Sequence, residues 1–200
     1  MKSRRGPIED RTASRQTPGP SDTNESRADN ADKGTSRDLD RMRDKINSAA
    51  FRILAARPQS ERQLREKLLA KAWVEPDVVE QCISRLKELG YVNDALFARN
   101  YASSRVGLKA IGRARVAREL AGKKISRDTI EEAVASVFDE AGEESLIDRA
   151  IQKRIRTHGR PSDRGSAKRM FDHLARLGFE YGLIVRKLQA LKANIGDDDQ

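Results

Sequence analysis

Three stretches of this chain carry apolar residues at one shared spacing, and that periodicity limits the fold more than any other feature. Leu69, Val74, Val79, Ile83 and Leu86 are separated by 5, 5, 4 and 3 positions. Leu120, Ile125, Ile130, Val134 and Val137 repeat the pattern 51 residues later, and Leu174, Phe179, Ile184, Leu188 and Leu191 repeat it after another 54. Steps of 3 and 4 are the helical period, while the longer Leu-x4-apolar step crosses a turn between two helices. Upstream, Ile46 and Ala50, Phe97 and Tyr101, and Ile151 and Ile155 stand 23 and 19 residues before the three leucines. The implied unit is three helices in about fifty residues, present three times. A unit this short buries little surface alone, so neighbours must share a core. The expected fold is therefore all-α, three tandem three-helix repeats forming an elongated, curved array, with bounds near 37–90, 91–140 and 141–195.

Local signals divide the units into helices. Pro58 ends the first helix, and Ser60 with Gln63 forms an S-x-x-Q capping box. Pro76 suits the first turn of a helix, where its missing N–H costs nothing. Gly90, Gly122 and Gly178 each follow an apolar run, at the place where a left-handed residue closes a helix. Asn93-Asp94, Ser126 and Ser162 are candidate N-terminal caps. These signals predict helices over 38–57, 61–71, 76–88, 94–106, 109–121, 127–139, 143–157, 163–176 and 180–193. No stretch between 37 and 195 alternates with the period of a strand.

The ends differ from the rest. Residues 1–36 contain Pro7, Pro18 and Pro20, no aromatic residue and nearly balanced charge, so they are expected to be a disordered tail. Residues 196–200 end in an acidic tip. The whole chain carries forty Lys and Arg against thirty-one Asp and Glu, a net charge of +9, and setting the ends aside leaves the folded part more basic still. A single cysteine, Cys82, excludes an intramolecular disulfide and fits a reducing compartment. No apolar run is long enough for a membrane span or a signal peptide.

Catalytic chemistry has little to build on. His158 and His173 lack metal-ligand spacing; the first follows a helix end and the second adjoins the repeat residue Leu174. Cys82, beside Ile83, reads as a small core residue. Asp139, Glu140, Glu143 and Glu144 flank Gly142, where one helix ends and the next begins. No phosphate loop or nucleophile motif is present. The reading is a protein without enzymatic activity, cofactor or metal.

Positive charge carries more information. One cluster contains Arg113, Arg115, Arg118, Lys123, Lys124 and Arg127; another runs from Arg149 to Arg169 and contains Lys153, Arg154, Arg156, Arg160, Arg164 and Lys168. Lys153, Arg156 and Arg160 share a helical face, as do Arg164 and Lys168. Such groups attract phosphate or carboxylate, although a basic chain also carries cations that are merely solvated. Most of the nine aromatics fall on apolar faces, so no exposed base-stacking platform is expected. The candidate binding residues are Arg113, Arg115, Arg118, Lys123, Lys124, Lys153, Arg154, Arg156, Arg160, Arg164 and Lys168.

The segment Leu89-Gly90-Tyr91-Val92-Asn93-Asp94-Ala95-Leu96-Phe97-Ala98, continuing to Tyr101 and Arg105, resembles the signature of the RecX family, regulators of the RecA recombinase. Arg57-Pro58-Gln59-Ser60-Glu61-Arg62-Gln63-Leu64 is similar to that family's R-x-x-S-x-x-E-L segment, with Gln63 where Glu is usual. Leu174-Ala175-Arg176-Leu177-Gly178-Phe179 is similar to its L-x-R-x-G-F segment. The resemblance covers roughly 45–192. One departure is Lys123-Lys124-Ile125 in place of Lys-Gly-Ile, which predicts a differently shaped turn. The resemblance implies a bacterial cytoplasmic protein that binds RecA and lies in the groove of the RecA–DNA filament; a monomer that also binds single- or double-stranded DNA weakly through phosphate is expected. It further implies restraint of ATP hydrolysis, strand exchange and coprotease activity. A free-standing DNA-binding helical module without sequence preference is the alternative.

Overall fold

The computed structural model describes the backbone of residues 25–196 and the side chains of 36–192. Among the described residues there are nine helices and no strand: α1 (Glu25–Ala56), α2 (Glu61–Leu69), α3 (Pro76–Glu88), α4 (Asp94–Leu108), α5 (Arg113–Ala121), α6 (Arg127–Ala141), α7 (Glu143–His158), α8 (Arg164–Arg176) and α9 (Tyr181–Gly196). The chain divides after Arg41. The described part before that point is the start of α1, with an ion pair between Arg41 and Asp38 at 3.4 Å. Residues 42–196 hold the helical core.

Most helix ends fall where the sequence puts them, because their signals are local. Ser60 and Gln63 form the expected capping box, Pro76 opens α3, and the Asn93 and Ser126 side chains accept the Leu96 and Thr129 N–H groups. Several ends shift by one to three residues, and three differences have a clear physical reason. α1 begins at Glu25, inside the stretch expected to be a disordered tail; residues 1–24 of that tail lie outside the described residues. No proline lies between Pro20 and Pro58 to stop a helix that is nucleated within that stretch. α5 begins at Arg113 rather than 109, since Lys109 closes α4 in an extended conformation and Gly112 caps α5. α8 is capped by Asp163 rather than Ser162, in a box with Ser166.

The apolar repeat needs a one-residue correction in the first unit. Leu69 is 40% exposed, and Leu68 is the fully buried residue. The equivalent pairs are Leu64 and Leu68 on α2, Val116 and Leu120 on α5, and Met170 and Leu174 on α8, all buried. From Leu68 to buried Val79 is one step longer than from Leu120 to Ile130 or Leu174 to Ile184, so the first α2–α3 turn holds an extra residue. Likewise Ala98 and Ala102, rather than Phe97 and Tyr101, are the fully buried counterparts of Ile46 and Ala50.

Helices α3, α5 and α8 close in the same way. The Tyr91, Ile125 and Phe179 N–H groups donate back to the Leu86, Leu120 and Leu174 carbonyls, at 2.9, 3.4 and 3.3 Å. The left-handed residues are Gly90 (φ 76), Lys124 (φ 65) and Gly178 (φ 90), whereas Gly122 is right-handed. The Lys-Lys-Ile turn therefore keeps the shape of its glycine counterpart. Lys124 itself adopts the conformation that costs a residue with a Cβ about 1–2 kcal/mol.

The units are joined by one contact made twice. At the start of α2, Ser60 Oγ donates to the Lys123 carbonyl at 2.6 Å, in the turn after α5, and the Glu61 N–H donates to Asp94 Oδ1 at 2.8 Å, at the start of α4. At the start of α5, the Gly112 N–H donates to the Leu177 carbonyl at 2.9 Å, in the turn after α8. The Arg113 N–H donates to Glu143 Oε1 at 3.4 Å, at the start of α7. In α2 and α5, N-terminal N–H groups that have no partner within the helix are thus satisfied by the following unit. At the second joint the backbones are so close that a Cβ on Gly112 would lie 2.2 Å from the Gly178 carbonyl oxygen. A continuous apolar cluster from Ala98 to Ile184 lies behind this joint.

Leu68→Ala, Leu120→Ala and Leu174→Ala are each expected to lower stability by about 2–5 kcal/mol, whereas Leu69→Ala should cost no more than about 1 kcal/mol. Gly112→Ala should cost at least about 1 kcal/mol, through backbone displacement. Urea melts of the five variants check the register and the joint together; a Leu69 variant as unstable as the Leu68 variant would restore the uncorrected register.

Candidate functional site

Where the second joint brings α5 against the α8–α9 turn, a cleft of about 960 Å³ opens between the end of α4, α5, α7 and α8. Its apolar base includes Ala110, Ile111, Ala150 and Leu177, and its walls carry Lys109, Arg115, Arg149, Lys153 and Arg156. Arg149, Lys153 and Arg156 are 4 and 3 residues apart on α7, which sets them along one face. Lys109 projects from the α4 cap. The one carboxylate lining the cleft among the described residues, Asp148, accepts from Lys187 Nζ at 2.8 Å and so already has a cation of its own.

His173 also lines the cleft. Burial holds its pKa below the ordinary 6.5, and the nearby Arg154, Arg176 and His158 push in the same direction. A proton on this ring is unfavourable chiefly because the ring is partly buried, and the neighbouring cations add to that.

Arg115 is positioned by a network on α4 and α5. Glu119 accepts from Arg105 Nε and Nη2 at 2.6 and 2.8 Å, from Tyr101 Oη at 3.0 Å and from Arg115 Nε at 3.2 Å. The Arg105 guanidinium is the main reason that the Glu119 pKa is held down to about 2.

The structure sorts the sequence-selected cations. Arg115, Lys153 and Arg156 come together in the cleft, joined by Lys109 and Arg149. Arg113 does not: it bonds Glu143 at 2.7 Å and Asp139 at 3.0 Å and lies over the Phe138 ring at 5.4 Å, so it is an internal clamp. Lys124 is paired with Glu66, and Lys123 Nζ sits 4.8 Å from the centre of the Tyr101 ring. Arg118 bonds the Ala114 carbonyl of its own helix and lines a shallow hollow with Asp172 and Arg176. Arg154 meets His158 at 3.0 Å. Arg160, Arg164 and Lys168 are exposed and outside the cleft. Lys109 has no sequence signal because it stands alone between helices; only the fold sets it opposite α7.

A second concavity, of about 830 Å³, lies between the end of α1 and α4. Phe51 and Tyr91, 43% and 58% exposed, line it with Leu96, so aromatic surface faces solvent here. Among the described residues there is no metal-ligating cluster, and no helix is long and apolar enough to cross a membrane.

The same architecture occurs in known proteins. Residues 48–86 match the family model for the first three-helix domain of RecX, and residues 93–134 match that for the second. A crystal structure of RecX from Lactobacillus salivarius superposes with a TM-score of 0.68 at 20% identity, covering 76% of this chain and 97% of that one. The Regulatory protein RecX of Streptomyces coelicolor is 30% identical over 161 residues, 79% of this chain and 85% of the relative. The chain belongs to the RecX family. The Regulatory protein RecX of Clostridioides difficile is 31% identical over 152 residues, 76% of this chain and 70% of the relative. RecX membership places the corrected repeat in its setting: the two matched domains end within or just beyond the buried runs of α3 and α6.

Because the Glu119 carboxyl is held low, its contribution to stability is complete above its ordinary value near 4.5 and fades as pH falls toward about 2. Glu119→Gln should therefore lower stability by roughly 1–3 kcal/mol at pH 7, with the difference from the parent vanishing toward about pH 2. Urea midpoints of both proteins across that range test this, and a difference independent of pH would remove the carboxylate from the account.

Proposed function

We propose that the protein restrains RecA. It binds the RecA–DNA filament through the cleft between α5 and α7 and slows ATP hydrolysis, strand exchange and coprotease activity, acting as a monomer without cofactor in the cytoplasm. The observation that carries this reading is the cleft itself. Five cations line it, and the one carboxylate among its described lining residues is already held by Lys187. That arrangement suits an anion of extended form, such as a phosphate backbone or the acidic face of a filament. Family membership supports RecA as the partner, and on this reading the anion is met on its filament.

The second reading, a module that binds bare DNA, draws on the same cations, since phosphate binding requires no protein partner. The two separate by affinity. Under the first, bare DNA binds weakly, without sequence preference and only at low salt, while filaments bind tightly.

DNA-dependent ATP hydrolysis by RecA is the direct assay. Inhibition is expected with well under one copy per RecA, because a protein seated along or at the end of a filament influences many subunits. Inhibition only at equimolar amounts would indicate sequestration of free RecA, and none at any ratio would remove the reading.

The cleft has its own test. Reversing Lys153 and Arg156 to Glu should weaken filament binding by at least about ten-fold and make its salt dependence shallower, by about one unit for each phosphate that is no longer neutralised. Reversing Arg160 and Arg164, outside the cleft, should have a smaller effect. Fluorescence anisotropy across a salt series measures both; equal effects of the two pairs would make the attraction general to the surface.

A further inference from the structure

The groove between α1 and α4 is separate from the cationic cleft and has a different chemistry. Its floor is Phe51, Leu54, Tyr91, Leu96 and Phe97, and no acidic residue among those described lines it. Arg57 and Lys123 are the charged residues at its walls, and the exposed Asn100 adds an amide without a partner among the described residues. Half-exposed Tyr91 and Leu96 leave apolar surface in contact with solvent beside these cations.

We propose that this groove docks an amphipathic protein helix whose apolar side chains fill the floor and whose carboxylates meet Lys123 and Arg57. This rests on the reading above that the partner is a RecA filament, and it assigns the helix to the protein component of that filament. Charge complementarity selects the occupant: an apolar floor flanked by two cations and no acid favours apolar anchors with acidic neighbours. Nucleic acid fits less well, because several of the ring faces that bases would need already have neighbours. Phe97 stacks on Tyr101 with centroids 6.3 Å apart, Lys123 covers the Tyr101 ring, and Phe51 meets Tyr91 edge to face at 5.2 Å. A second copy of the chain would bring a basic surface against the two cations.

The groove adjoins the first joint. Lys123, whose carbonyl receives Ser60, also places its ammonium group at the groove, so the turn that joins the units also sets the charge at the docking surface.

The experiment uses the full-length chain, labelled, with RecA filaments on single-stranded DNA and with the same DNA bare. The pair Tyr91→Ser and Leu96→Ser is expected to weaken filament binding by about ten-fold or more while leaving bare-DNA binding and the salt slope unchanged. Lys123→Glu should weaken filament binding more than Lys123→Gln, because the partner carboxylates are then repelled. Circular dichroism and urea melts establish that the variants fold, and a photo-crosslinking side chain at position 91 reports the contact independently of affinity. Crosslinks to RecA support the proposal. Unchanged filament affinity in the double variant, or an absence of crosslinks while the chain is bound, overturns it and leaves the RecA reading standing. A parallel loss of bare-DNA binding also overturns it, and assigns the groove to base stacking. If the parent chain fails to bind filaments at all, both readings fall together.

Discussion

Everything in the core depends on how the N-terminus of each second helix is satisfied by the next unit. An α-helix begins with N–H groups that have no partner within it. In α5 these groups meet a turn carbonyl and a carboxylate of the following unit; in α2 the Glu61 N–H meets the carboxylate while the Ser60 hydroxyl meets the turn carbonyl, so the joint is directional and sets the spacing of the units. The second joint is the tighter one, because Gly112 and Gly178 let two backbones touch. That contact closes one end of the cleft and brings Arg115 opposite α7.

Charge is divided by the same geometry. Arg113 reads as a binding cation in the sequence, yet it and Arg105 both hold helices together, through Glu143 with Asp139 and through Glu119 respectively. With those cations and Lys187 assigned to carboxylates, Arg149, Lys153 and Arg156 on α7 and Lys109 in the α4–α5 linker are the cations that face one another across the cleft with Arg115. Exposed ion pairs contribute little to stability individually; their larger effect here is to decide which cations remain available to a partner.

How much can be read from the sequence follows from the range of each signal. Caps and helix closures are written in adjacent residues, so Ser60, Asn93, Ser126 and Gly178 are legible. The fold class follows from periodicity, which is also local. The first unit's slip from Leu69 to Leu68 is not legible, because both are leucines and the additional turn residue shows only against a packed neighbour. Lys124 shows that the left-handed closing position prefers glycine without requiring it, which is why the turn keeps a shape its sequence argues against. The cleft joins residues from Lys109 to Leu177, and the acids that pair with Arg113 lie 26 and 30 positions away. The exposed edges of Phe51 and Tyr91 likewise depend on how α1 meets the α3–α4 turn, which no local pattern encodes. Motif resemblance supplies the family, and periodicity supplies the scaffold on which the motifs sit.

A filament seated in the cationic cleft would shield both of its walls from solvent. Hydrogen exchange of the full chain, free and bound to RecA filaments on single-stranded DNA, reads that shielding segment by segment. Added protection is expected in 109–115 and 145–156 upon binding, with α2 and α3 unchanged. Bound protein that shows no added protection in those two segments would place the filament elsewhere on the molecule.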